Sequence, residues 1–183
     1  MYNLNIISTI TKSSFLEKWT KAEVYNKEHE RNDQNSWDRI KVFSKKNLNI
    51  HLVEITPDET FSNLIIPYHS SPNHFFKTRI GGNTLTEFTD KYSYPEDIEN
   101  SQDKCLERFP YHFNLFKHQK DMNQGFIEPD FMYFTQNVEL SPDPHSRDGD
   151  FLYAGSFHQF AAYGLFVKEF GSIPLRLYLC NNT

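Results

Sequence analysis

Between Gly125 and Cys180 the chain alternates short apolar runs with turn residues, in an order that leaves few folds open. Gly125-Phe126-Ile127-Glu128-Pro129 leads into an apolar run that predicts a strand over 131–134. A polar loop follows from Ser141 to Asp150, and its Asp148-Gly149 pair is a strong turn signal. Residues 151–154 predict a returning strand. Gly155-Ser156 then feeds directly into Phe157-His158-Gln159-Phe160-Ala161-Ala162-Tyr163-Gly164, which predicts a helix over 157–170 with Gly171 as its stop. Residues 173–179 predict a closing strand. Strand, loop, strand, helix and strand in that order call for a small mixed sheet flanked by helices, an α+β fold. A short polar turn running into a helix also offers unpaired backbone amides to an anion.

Upstream, residues 2–10 are β-prone. Ser14 and Glu17 read as a capping box, and Phe15, Leu16, Trp19 and Ala22 recur at helical spacing, predicting an amphipathic helix over 15–28. Residues 29–36 predict a loop and 39–43 a short strand. Period-2 alternation predicts a strand over 48–55, and Thr56-Pro57-Asp58-Glu59 ends it as a turn or helix start. Residues 61–67 form a second apolar run and 68–83 a loop. The acidic stretch 84–104 carries a helix entrance at Tyr94-Pro95-Glu96-Asp97. A helix within 106–122 starts near Pro110 and is stopped by Asn123-Gln124-Gly125. The expected organisation is a single domain over 1–183, with an N-terminal arm of one helix (1–45) and a core over 46–183.

Composition bounds the function. A chain of 183 residues with 17 Phe and 10 Tyr can bury a core without disulfides or metals. Its net charge of −5 argues against a large basic footprint for duplex nucleic acid. Only residues 1–56 are mildly positive, nine Lys/Arg against seven Asp/Glu, and a solvated face accounts for Lys41, Lys45 and Lys46. No apolar run approaches the roughly 20 residues that span a bilayer, and no secretory signal precedes the chain's first helix. The expectation is a cytoplasmic protein without a membrane partner. Cys105 and Cys180 are free thiols by default, with a pairing between them left open.

The C-terminal third resembles the ParB/sulfiredoxin superfamily. The resemblance rests on Gly125-Phe126-Ile127-Glu128-Pro129, on Gly155-Ser156-Phe157-His158-Gln159-Phe160-Ala161-Ala162 and on the Ile173-Pro174-Leu175-Arg176-Leu177 strand. It covers residues 106–180 by order and spacing, with 48–55 serving as the family's first strand and 60–105 as an insertion. It implies that the glycine turn and helix start cradle the phosphates of a nucleoside triphosphate, with Mg²⁺, through Gly155, Ser156, Phe157, His158 and Gln159. Two positions depart from the family. Its arginine is Gln159 here, which removes a permanent charge and a two-pronged phosphate donor. The sulfiredoxin cysteine falls at Phe157, so sulfinic-acid reductase chemistry is excluded.

Arg147 in the polar loop is the candidate replacement for the missing arginine. Beside the phosphate-ligand reading stand two others. One is a phosphotransfer or nuclease-type enzyme with Glu128 and His158 as its acid/base pair. The other is a module for protein or single-stranded nucleic acid that uses the aromatic and basic run His74-Phe75-Phe76-Lys77-Thr78-Arg79. Gly155-Ser156 also serves equally well as an ordinary strand-to-helix turn. No histidine or cysteine spacing suggests a metal site, and no local nucleophile signature is present.

Overall fold

The computed structural model of the chain describes residues 4–28, 34–66, 82–100, 106, 108–140, 151–153 and 157–183. Within them, one strand decides the architecture. β7 (Leu175–Asn182) sends Leu175, Leu177 and Leu179 to one face, and Tyr178 and Cys180 to the other. Both sets are buried, so both faces of the sheet must be covered. The result is an α+β fold, a mixed sheet with helices on each side.

The strands are β1 (Asn5–Thr9), β2 (Leu48–Ile55), β3 (Leu64–Ile66), β4 (Asn83–Thr84), β5 (Tyr133–Thr135), β6 (Phe151–Tyr153) and β7. They lie in the order β1-β2-β7-β5-β6-β3-β4. β2 and β7 pair antiparallel over their full length, from Leu48 opposite Asn182 to Ile55 opposite Leu175. β5 runs parallel to β7, with Tyr133 opposite Tyr178.

The helices are α1 (Lys12–Glu28), α2 (Gln34–Ser44), α3 (Pro57–Asn63), α4 (Leu85–Lys91), α5 (Glu96–Glu99), α6 (Phe109–Asp121) and α7 (Phe157–Phe170). α4, α6 and α7 cover the leucine face of β7, with Phe88, Phe109, Phe113, Phe116, Phe160 and Phe166 in one apolar core. α1 and α2 cover the opposite face, where Phe15, Trp19 and Phe43 meet Ile50, Phe131, Tyr133 and Tyr178. Removing each such ring from water stabilises the fold by about 1.5–3 kcal/mol before entropy is counted.

Four expectations are corrected. The first helix starts one turn before the predicted cap: Thr11 accepts from Ser14 N–H through its hydroxyl and from Phe15 N–H through its carbonyl. Ser14 therefore lies inside α1. Residues 39–43 are helical, because Ile40 and Phe43 turn inward three positions apart while Val42 stays exposed. The N-terminal region is consequently no arm with one helix; it supplies an edge strand of the sheet and two helices packed on it. In the acidic stretch 84–104 a helix precedes the entrance expected at Tyr94: α4, whose start is a full capping box between Thr84 and Glu87.

Buried acids set the alkaline limit of this fold. Burial pushes the Cys180 thiol up to about 12 and raises the phenols of Tyr133 and Tyr163 above the ordinary tyrosine value. Each group holds its proton longer in the folded state than in the unfolded chain. Its contribution is whole below the unfolded-state value and is lost as pH climbs through the folded one. The denaturant midpoint should therefore fall steadily between about pH 9 and about pH 12, measured by circular dichroism in urea. A midpoint flat across that range would contradict it.

Candidate functional site

The segment from Phe126 to Met132 leads into β5 and touches β7 at both ends, where the Ile127 carbonyl accepts from Arg176 N–H and the Met132 carbonyl from Tyr178 N–H, and two glutamines pin it between these points. Gln119 of α6 donates through its side-chain amide to the Glu128 carbonyl at 2.8 Å and accepts from the Glu128 N–H at 2.9 Å. Gln159, in the first turn of α7, does the same to Phe131, donating at 3.2 Å and accepting at 3.4 Å. Each amide imitates one rung of a β-ladder. Between this pinned segment, α1, the start of α6 and β7 lies a cavity of about 630 Å³, within the size range of small-molecule sites.

The cavity lining mixes charged and apolar side chains, with cations in excess. Lys18, Lys21, Arg108 and Arg176 line it together with Glu128 and Asp130, while Leu52, Leu115, Met132 and Leu177 supply the apolar surface. Arg108 is held on every side. Its guanidinium lies 4.5 Å from the Tyr25 ring centre and 4.7 Å from that of Tyr111. It donates to Asn26 Oδ1 at 2.7 Å and pairs with Asp130 at 3.6 Å. Arg176 pairs with Glu54 at 2.8 Å and lies 3.4 Å from the Phe126 ring centre. These two arginines therefore brace the walls.

Lys18 differs. Its ammonium donates to the Tyr178 hydroxyl at 2.8 Å. That bond holds the Lys18 pKa above its ordinary value, with burial pulling the other way and the Glu128 charge adding to the rise. Lys18 is thus a cation at neutral pH. The Tyr111 phenol is also raised, first by burial and then by the Asp130 carboxylate beside it.

Of the residues singled out from sequence, Glu128 and Gln159 are brought together on this cavity. His158 is partly buried in the first turn of α7 and is not among the lining residues, so the cavity does not unite it with Glu128. Phe157 opens α7. Gly155, Ser156 and Arg147, like the aromatic run 74–79 and Cys105, lie outside the described residues. Gln159 itself is 6% exposed, and both polar atoms of its amide face the Phe131 main chain. Replacing it by leucine should cost about 2 kcal/mol, since two buried backbone groups lose their partners, and should loosen the cavity wall. Urea denaturation of Gln159→Leu checks this, and an unchanged midpoint would refute it.

Sequence reasoning missed Lys18, Arg108 and Tyr178. One local signal was present: Lys18, Ala22 and Tyr25 recur at helical spacing beside the core stripe of α1 and all three line the cavity. Among the described residues no group of His, Cys, Asp and Glu is placed to hold a metal ion, and no helix is long and apolar enough to cross a membrane. Compared with protein families, with curated proteins and with solved structures, the chain matches none.

Proposed function

We propose that this protein binds a nucleotide or another small phosphate-bearing ligand in the cavity between α1, α6 and β7, beside the first turn of α7. One observation carries the reading: a cavity of about 630 Å³ gathers four cationic side chains against two carboxylates, with two partly exposed tyrosine rings and several apolar side chains, beside Gln159 in the first turn of α7. Cations and helix-terminal amides favour an anion, and the apolar and aromatic surface suits a base or sugar face. The proposal includes divergent membership of the ParB/sulfiredoxin superfamily, which the order β5, β6, α7, β7 supports. In this reading Gln159 orders the wall in place of the family's arginine. A nucleoside triphosphate would bring Mg²⁺ with it.

A thermal-shift panel of nucleoside triphosphates with Mg²⁺ tests the reading. At a hundredfold excess over Kd, a binding ligand stabilises the fold by about 2.7 kcal/mol, which is a clear upward shift of Tm. No shift with any member of the panel, or with inorganic phosphate, would sink it. The exposed carboxylate of Glu128 in the same cavity favours a second reading, phosphotransfer with Glu128 as base. Consumption of ATP that disappears in Glu128→Ala while binding persists would select that reading.

A further inference from the structure

We propose that Lys18 and Tyr178 form the anion-docking point of this cavity, and that its ligand is a phosphate ester of a sugar: a nucleotide or a sugar phosphate. The inference rests on the phosphate-binding reading above and names the side chains that carry it.

The argument is one of elimination among the cavity's cations. Arg108 lies against the rings of Tyr25 and Tyr111 and has one nitrogen bonded to Asn26 and another facing Asp130. Arg176 is tied to Glu54 and lies on Phe126. Lys21 pairs with Glu17 at 3.5 Å in open solvent, where such pairs contribute little and hold no fixed geometry. Among the described residues, Lys18 is the cavity cation that has no carboxylate within ion-pair distance. An ammonium has three protons and the Tyr178 oxygen takes one of them.

Tyr178 completes the pair. Its ring is 7% exposed and packed at 5.5 Å from Phe15 and 5.8 Å from Phe131, so its hydroxyl is fixed in place. Because that oxygen accepts from Lys18, the phenolic proton remains available to donate. Two donors 2.8 Å apart, one of them charged, match two oxygens of a single phosphate. Neither residue needs to abandon a carboxylate to bind.

Glu128 lines the same cavity and acts electrostatically on Lys18. An ionised carboxylate accepts hydrogen bonds and donates none. It therefore repels a bare anion but rewards a ligand that carries hydroxyl donors close to its phosphate. A ribose or another sugar next to the phosphate satisfies both walls, which inorganic phosphate does not.

Isothermal titration of the full chain with ATP, AMP, ribose 5-phosphate and inorganic phosphate provides the test, on the parent protein and on Lys18→Met, Tyr178→Phe and Lys41→Met. Lys41 is an exposed lysine on α2, outside the cavity lining, and controls for net charge. The parent is expected to bind at least one sugar-bearing probe more tightly than inorganic phosphate. Lys18→Met should weaken that binding about tenfold or more, Tyr178→Phe several-fold, and Lys41→Met not at all. Tyr178→Phe keeps the ring and its packing, so it remains informative should Lys18→Met fold poorly. Preference for AMP and ATP over ribose 5-phosphate makes the ligand a nucleotide; equal binding makes it a sugar phosphate. If the parent binds but both cavity variants bind equally well, the docking point is wrong while the phosphate reading stands. Inorganic phosphate binding as tightly as the esters removes the sugar. A parent that binds none of the four overturns both proposals.

Discussion

Truncating Phe15 to alanine is expected to remove about 3–5 kcal/mol of folding stability. Phe15 is fully buried, and its ring centre lies 5.3–5.9 Å from those of Phe131, Tyr178, Tyr133 and Trp19. The lost ring would leave a void bounded by rigid aromatics, which cannot collapse far enough to refill it. The consequence reaches the cavity, because Phe15 and Trp19 seat the helix whose next face carries Lys18, Lys21 and Tyr25. Urea denaturation followed by Trp19 fluorescence measures the loss, and a change below about 1 kcal/mol would contradict this account.

Gly82→Ala is expected to be of similar size, about 3 kcal/mol or more, for a backbone reason. Gly82 sits at φ +81°, and a Cβ there would overlap the carbonyl oxygen of Ile66 and the side chain of Ile65. It stands immediately before β4, whose Asn83 pairs with Ile66 of β3. The substitution therefore forces apart two chains that must touch. Gly171 supplies the comparison: it has φ +94° but open space around its Cβ position. Gly171→Ala should cost only the left-handed backbone, about 1 kcal/mol. Equal midpoints for the two variants in thermal denaturation would show that the close approach at Ile66 has no weight.

The elements that sequence reasoning placed well are those in which local periodicity and burial coincide. β2, α6 and α7 fall close to their expected bounds, and Gly171 ends α7 through its N–H to the Val167 carbonyl. α2 was misread because Ile40 and Val42 mimic alternation over five residues, too short a window to separate a period of 2 from one of 3.6. α4 was hidden because the acidic count of 84–104 masked Leu85, Phe88 and Tyr92, all buried on one face. The pairing of Ser14 with Glu17 matched a capping pattern, yet Thr11 took the role one turn earlier.

The cavity was legible only at its edges. Glu128 and Gln159 were singled out because they sit in motifs, whereas Lys18 meets Tyr178 across 160 positions and Arg108 meets Asn26 across 82. Nothing in local spacing encodes such a meeting. Gln159 shows the limit most clearly. As a replacement for an arginine it suggested a ligand contact, but its amide is aimed at Phe131, a partner that only the folded chain supplies.

β7 stands between β2 and β5, so among the described residues the backbone ladders of the two halves of the sheet are joined only through residues 175–182. During synthesis the ribosome delivers every other described strand before this one. Until it emerges, β2 and β5 each expose an open hydrogen-bonding edge, and the aromatic faces of α1 and α7 have no common surface to settle on. The nascent chain must therefore wait, unsealed, for β7. Shielding by a chaperone over that interval matters more for this topology than for one whose central strand is made first.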